Sequence, residues 1–115
     1  MGTESGRAAE SLVAKILKQQ GHKVVAQNWR TRWCESDIVS TSKNVVHFTE
    51  VKYRSNSSWG AGHDYIMYKK LKQMQFAAQF WLAKNKWPGD ALMQVASVDA
   101  ERDVVFIVLD GSETT

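Results

Sequence analysis

The chain has 115 residues, of which 43% are apolar and 23% charged, and its 15 Lys and Arg outnumber 12 Asp and Glu to give a net charge of +3. That length suits one compact domain, residues 1–115 with a short tail from about 111, and the composition excludes a disordered chain. No apolar stretch is long enough to span a bilayer, and the first residues lack a secretory core, so we expect a cytoplasmic protein without membrane contact. The one cysteine, Cys34, excludes an internal disulfide and a multi-cysteine zinc site.

Hydrophobic periodicity and turn residues predict seven elements in the order α-β-β-β-α-β-β. The predicted helices are residues 7–20, ended by Gly21, and residues 64–86, ended by Pro88. The predicted strands cover five segments, which are residues 23–29, 37–41, 45–53, 91–98 and 104–109. The three remaining segments are expected to be a turn at 30–36, a tight turn at 42–44 and a loop at 55–63. This order favours an α/β fold in which a small mixed sheet lies between two helices.

The third predicted strand carries an acid and a base on one face. Side chains alternate along a strand, so Glu50 and Lys52 share a face with Phe48. The second and third strands form a predicted hairpin, and neighbouring strands lie about 4.8 Å apart, so Asp37 at the start of the second strand can converge with Glu50. Two close carboxylates repel unless one takes up a proton or both bind a cation. Oxygen ligands of this kind suit Mg²⁺.

Glu10 is a third candidate for this acidic group. It lies at the edge of the apolar stripe of the first helix, from which a carboxylate can reach the sheet face that the helix covers. Each residue alone has an ordinary explanation, since a helical Glu is usually solvated, a strand Glu-x-Lys is usually a surface ion pair and an Asp often forms a turn. The full order, Glu10, Asp37 and then Glu50-x-Lys52 on a hairpin after a helix, arises much less often by chance.

These residues resemble a known nuclease signature. Asp37, a 12-residue spacer and Glu50-Val51-Lys52 look like the PD-(D/E)xK motif of the restriction-endonuclease-like fold. More closely, the chain is similar to the YraN family of predicted nucleases, which are relatives of archaeal Holliday-junction resolvases. Four segments carry this resemblance, namely residues 6–10, 28–30, 34–39 and 46–54.

The chain departs from the family pattern at three positions. Cys34 stands where the family usually has glycine, and Ser36 stands where an apolar residue is expected. Gln94 replaces an acidic residue that is common in the fourth strand. The departures spare the expected metal ligands and bear on catalytic efficiency.

The resemblance implies a metal-dependent endonuclease that hydrolyses phosphodiester bonds in DNA, including duplex, branched or repair structures. Asp37, Glu50 and the Val51 carbonyl would hold Mg²⁺ or Mn²⁺, with Glu10 contributing directly or through water. Lys52 would orient the attacking water or stabilise the transition state. Two further cations would contact phosphates, namely Lys70 and Arg54.

Two alternatives of different classes remain at this point. One is a nucleic-acid-binding module that has kept the fold without catalysis, and the other is a structural or interaction protein whose acidic cluster is hydrogen-bonded. A homodimer is left open. Residues 29–33 mix aromatic and basic side chains that could stack on bases or cap the sheet, and these are Trp29, Arg30, Arg32 and Trp33. Trp81 is assigned to the core, whereas Trp59, in a Gly- and Ser-rich loop, is a candidate for contact with DNA or a partner.

Overall fold

The computed structural model describes residues 4–54 and 63–109, the side chains of 63–67 excepted. Trp59, most of the predicted 55–63 loop and the tail from about 111 lie outside the described residues. The elements, in chain order, are α1 Glu4–Gln19, β1 Lys23–Arg30, β2 Glu35–Ser42, β3 Val45–Arg54, α2 His63–Asn85, β4 Asp90–Asp99 and β5 Val104–Leu109. The predicted order and the α/β class are confirmed.

The strands form one five-stranded mixed sheet in the order β1-β2-β3-β4-β5. β1, β2 and β3 make an antiparallel meander, and β5 is antiparallel to β4. β3 and β4 are parallel, and α2 is the crossover that such a pair requires. The central strand β3 therefore has an antiparallel neighbour, β2, on one side and a parallel neighbour, β4, on the other.

Each face of the sheet is covered by one helix. On one face, α1 buries Val13 and Leu17 against Ile38 and Ala96. On the other face, α2 buries Trp81 against Phe48, with ring centroids 5.8 Å apart in an edge-to-face arrangement. Trp81 is only 8% exposed, so its assignment to the core is confirmed. The alternation of side chains along β3 thus separates an α1 layer from an α2 layer.

Turn residues set the entry to two strands. Gly21 has φ +94°, the left-handed value that ends a helix, and the N–H groups of Gly21 and His22 donate to the carbonyls of Lys18 and Leu17 at 3.0 and 2.9 Å. Lys43 and Asn44 both have positive φ, 52° and 67°, which suits the tight hairpin between β2 and β3. Both stops were predicted from the sequence.

The predicted turn at 30–36 was too long. β1 continues to Arg30 and β2 begins at Glu35, so Asp37 is the third residue of β2 rather than its first. Arg30 and Glu35 are cross-strand partners, and their side chains form an ion pair at 2.6 Å. Opposite charges that face each other across two strands favour strand pairing. They therefore stabilise a strand conformation at polar residues that the sequence pattern assigns to a turn.

Neither α1 nor the described part of α2 combines the length and the apolar content that crossing a bilayer requires.

Candidate functional site

Asp37 lies just beyond the end of the ladder between β2 and β3, whereas pairing between β1 and β2 continues past it. The ladder pairs Ile38 with Thr49 on β3, and this register places Asp37 opposite Glu50. On the other side, Gln27 pairs with Ile38 and Trp29 with Ser36, so Asn28 is opposite Asp37. Residues directly opposite each other have Cβ atoms about 4.5–5.5 Å apart. The sheet therefore brings Asp37 and Glu50 together, as the hairpin predicted.

The Asp37 carboxylate is held by the backbone of β3. Its Oδ2 accepts a hydrogen bond from the Val51 N–H at 2.8 Å. This bond replaces the backbone ladder at the point where the ladder opens, so the carboxylate is fixed beside Glu50 and next to Val51. One carboxylate oxygen of Asp37 has no role in that bond and is available to a ligand.

Glu50 is a largely buried carboxylate with a lysine partner. Its side chain is 15% exposed, and its Oε2 lies 3.2 Å from Nζ of Lys70 on α2. Burial raises the pKa of Glu50, and the charge of Asp37 raises it further, whereas Lys70 and Lys52 lower it. The net shift is upward, so the two lysines do not offset burial and the second carboxylate. Lys70, predicted as a phosphate contact, thus lies against the candidate metal ligand itself.

Glu10 approaches the site from the other layer. Its helix, α1, covers the sheet face opposite the one that carries Glu50. Burial raises the pKa of Glu10, and the charge of Asp37 raises it further, which shows that its carboxylate reaches toward Asp37. The carboxylate oxygens of the three acids are not all within 4.8 Å of one another. The contribution of Glu10 to a metal site, directly or through water, therefore stays a prediction.

Asn28 is a site residue to which the sequence analysis gave no role. Its side chain donates a hydrogen bond that lowers the pKa of Glu10, although the net shift of Glu10 remains upward. Its φ is 52°, a left-handed value in the middle of β1 that Asn tolerates better than most residues. An Asn inside an otherwise regular strand pattern is the signal that could have identified it.

The remaining predicted cations divide between the site and its surroundings. Lys52 and Arg54 follow Glu50 at every second position of β3, so all three side chains lie on the α2 face. Both cations are half-buried. Arg30 pairs with Glu35 at the exposed end of β1 rather than with the acidic group. Arg32 lies over the ring of Trp33, with 5.8 Å between its Cζ and the ring centroid.

A cavity of about 580 Å³ opens beside Glu50 and Lys70. One wall is the turn between β1 and β2, which contributes Arg32, Trp33 and Cys34. The opposite wall is α2, which contributes Lys72 and Phe76 among others. The acidic pair therefore has an adjoining space with cationic and aromatic walls, large enough for part of a substrate.

The three departures from the family pattern leave this arrangement in place. Cys34 has no positive φ, so its backbone does not need the freedom of glycine. Ser36 is buried on the face opposite Asp37. Gln94 is buried in the α1 layer, where its Nε2 donates to Oγ1 of Thr49 at 3.0 Å. Gln94 therefore lies outside the cavity.

A second acidic group lies in the turn between β4 and β5. Asp99, Glu101 and Asp103 have carboxylate oxygens within 4.8 Å of one another, but all three are exposed. Oδ1 of Asp99 already accepts the N–H groups of Glu101 and Asp103 at 2.9 Å. This pattern is the ordinary turn chemistry of aspartate.

The donor set at Asp37 and Glu50 fits a hard divalent cation. Two carboxylates and an adjacent backbone carbonyl, that of Val51, are the oxygen ligands that Mg²⁺ and Mn²⁺ prefer. Burial and, after it, the charge of Asp37 raise the pKa of Glu50, and a bound cation would offset the repulsion between the two carboxylates.

Comparisons with known proteins agree with the motifs. The family model described as "Uncharacterised protein family UPF0102" matches residues 9–107. A UPF0102 protein of Pseudomonas fluorescens (strain Pf0-1) is 34% identical over 102 residues, which cover 87% of this chain and 85% of the relative. A UPF0102 protein of Cytophaga hutchinsonii is 30% identical over 105 residues, covering 91% of this chain and 93% of the relative. One from Parafrankia sp. (strain EAN1pec) is 36% identical over 98 residues, covering 84% and 83% respectively. The chain therefore belongs to the UPF0102 family, which is the YraN family that its motifs resemble.

Proposed function

We propose that this protein is a metal-dependent endonuclease that hydrolyses phosphodiester bonds in DNA. The observation that carries the proposal is the pair of opposed carboxylates, Asp37 and Glu50, of which Glu50 is buried with a raised pKa. A carboxylate pair of this kind can hold a divalent cation, and a lysine two residues later on the same strand face can stabilise the charge on a phosphate, so the arrangement suits phosphodiester hydrolysis.

Each residue has a distinct role in this proposal. Asp37 and Glu50, with the Val51 carbonyl, would hold Mg²⁺ or Mn²⁺. Such a cation, when bound, lowers the pKa of a coordinated water and offsets negative charge on a phosphate oxygen. The Val51 N–H keeps Asp37 in place through its 2.8 Å bond. Lys52 orients the attacking water or stabilises the charge that develops on the phosphate.

The charges around the site support a polyanionic substrate. Lys70 and Lys72 line the cavity from α2, and Arg32 lines it from the turn between β1 and β2. Lys70 and Arg54 would contact phosphates that flank the scissile bond, once Lys70 is released from Glu50 by the bound cation. The chain as a whole carries a net charge of +3.

The first test combines cleavage with metal-dependent melting. Wild type should cut DNA in Mg²⁺ or Mn²⁺, and either metal should raise its melting temperature. Lys52→Ala should lose cleavage and keep the metal-induced rise, because the lysine acts on water or phosphate rather than on the ion. Asp37→Asn should lose both. Glu4→Gln, which alters an exposed acid on α1 outside the cavity, serves as the matched control and should keep both.

A non-catalytic nucleic-acid-binding module is the second candidate. It is favoured by the Lys70 ammonium, which lies 3.2 Å from Glu50 and already supplies a positive charge to that carboxylate. Under this alternative, DNA binds without cleavage and metal leaves the melting temperature of every variant unchanged. If neither DNA nor metal binds, the acidic pair is architectural and both functions are wrong.

A further inference from the structure

Three aromatic rings form an exposed shelf beside the acidic pair. We define the aromatic shelf as Trp33, Phe76 and Phe80. The ring centroids of Trp33 and Phe80 are 5.6 Å apart, and those of Phe76 and Phe80 are 6.5 Å apart. Trp33 is 63% exposed and Phe76 is 51% exposed. Large aromatic side chains rarely stay this accessible together unless the surface binds something.

The shelf is firmly supported from below. Phe80 is half-buried and lies 6.2 Å, between centroids, from Trp29, which packs against the core on the α2 face. Oγ1 of Thr31 accepts the N–H groups of Trp33 and Cys34, both at 3.0 Å, which fixes the turn that carries Trp33. From the sequence, Trp29 and Trp33 could each stack on bases or cap the sheet, and in the structure the two residues differ. Trp29 caps the sheet, and Trp33 is presented to solvent.

The shelf and the candidate metal ligand share one cavity. Trp33 and Phe76 line the same 580 Å³ space as Glu50 and Lys70. Two exposed cations lie near the shelf, since Arg32 lies over the Trp33 ring, 5.8 Å from its centroid, and Lys72 lines the same cavity as Trp33 and Phe76. Exposed aromatic rings with cations close by match a nucleotide, whose base stacks on a ring and whose anionic phosphates pair with the cations.

We propose that the aromatic shelf binds an unpaired base next to the acidic pair, so that the substrate is a nucleic acid with single-stranded character at that point. Bases in an intact duplex stack on one another, and only an unpaired, frayed or flipped nucleotide offers its face to a protein ring. Arg32 and Lys72 then contact the phosphates on either side of the stacked base. This inference rests on the proposed function for its position at the acidic pair and adds the substrate class.

The test measures DNA binding in EDTA, so that cleavage cannot interfere. The probes are a fluorescently labelled single strand, its blunt duplex and the same duplex with a single-stranded overhang. Trp33→Ala should weaken binding of the single strand and of the overhang by roughly 5- to 100-fold, the range expected for one stacked base. It should change binding of the blunt duplex much less. Trp33→Phe should restore most of the affinity because it keeps an aromatic face.

Tyr53→Ala is the matched control. Tyr53 is an exposed aromatic residue on β3, 40% accessible, and alternation places it on the sheet face opposite Glu50. Its replacement should leave all three affinities unchanged. Phe76→Ala, an independent change on the second wall, should repeat the loss seen for Trp33→Ala.

Three outcomes would overturn the inference. Equal losses on duplex and single strand would mean that the shelf does not read unpaired bases, and no loss on either would mean that it does not bind DNA. A third outcome is that the shelf joins two copies of the chain. In that case Trp33→Ala would lower the mass measured by analytical ultracentrifugation without affecting DNA binding.

Selective binding without cleavage in Mn²⁺ would sustain this inference while rejecting the proposed catalysis. Cleavage without a preference for unpaired bases would do the reverse.

Discussion

The pKa shift of Glu50 is the clearest chemical consequence of the fold at the scale of single residues. Burial and the charge of Asp37 raise the pKa of Glu50 despite the ammonium of Lys70 at 3.2 Å. A carboxyl group with a higher pKa in the folded state binds more protons when folded than when unfolded. The folded state is therefore favoured at low pH and loses that advantage as Glu50 ionises.

This shift predicts how the stability of the protein without metal depends on pH. The free energy of unfolding should fall as pH rises from the ordinary carboxyl pKa through the raised pKa of Glu50. Glu50→Gln should reduce that fall. Adding Glu10→Gln to this variant should reduce it further, because burial and the charge of Asp37 raise the pKa of Glu10 as well. Urea titrations at a series of pH values measure the effect. Glu4→Gln, at an exposed acid of α1, is the control, and an unchanged profile in Glu50→Gln would contradict the assignment.

Asn28 allows backbone strain to be separated from hydrogen bonding. Asn28→Ala should destabilise the protein by about 1–3 kcal/mol, since it places alanine at a φ of 52° and removes the bond to Glu10. Asn28→Gly should relieve the backbone strain but should not restore the hydrogen bond to Glu10. In both variants the pKa of Glu10 should rise further, which carboxyl NMR titration can follow. An unchanged pKa of Glu10 would mean that the amide does not hold the carboxylate.

At the scale of elements, β4 is fitted closely against the turn between β2 and β3. The Asp90 N–H donates to the Asn44 carbonyl at 3.0 Å, and a Cβ at Gly89 would collide with that same oxygen. Gly89→Ala should therefore cost about 1–3 kcal/mol in the free energy of unfolding, as overpacking typically does. Gln79→Ala, on the exposed face of α2, should change stability by less than about 0.5 kcal/mol. Chemical denaturation compares the two, and equal stabilities would show that the contact relaxes freely.

Local signals in the sequence were sufficient for the elements and for the acidic pair. Helix α1 ends at Gly21 and strand β2 ends at the Lys43-Asn44 turn, where residues adopt left-handed φ. Along β3, alternating side chains place Glu50 and Lys52 on one face and Val51 on the other. The ends of β1 and β2 were misplaced because the Arg30–Glu35 pair is a tertiary effect. The face that α1 covers could not be predicted, since an amphipathic stripe does not say which side of a sheet it meets. The exposure of Trp33 likewise depends on how the turn packs against α2.

At the scale of the whole molecule, cations near the cavity should determine how DNA affinity responds to salt. On single strands, the slope of log K against log salt changes by about 0.7 per phosphate neutralised. Lys72→Ala should flatten the slope by about that amount, and Lys70→Ala should do so once metal occupies the site. Lys18→Ala, an exposed lysine on α1 at the opposite face, should not change it. A slope that responds equally to Lys18 and Lys72 would mean that DNA does not use the cavity.

The central claim, that Asp37 and Glu50 together bind a divalent cation, is tested most directly by soaking a crystal of the protein in Mn²⁺. Anomalous scattering should show one ion at about 2.0–2.2 Å from an oxygen of each carboxylate, close to the Val51 carbonyl. Lys70 should then be displaced from its 3.2 Å contact with Glu50. An Asp37→Asn crystal soaked in the same way should lack the peak. Absence of the peak in the wild type, or an ion bound only at the exposed Asp99 turn, would contradict the claim.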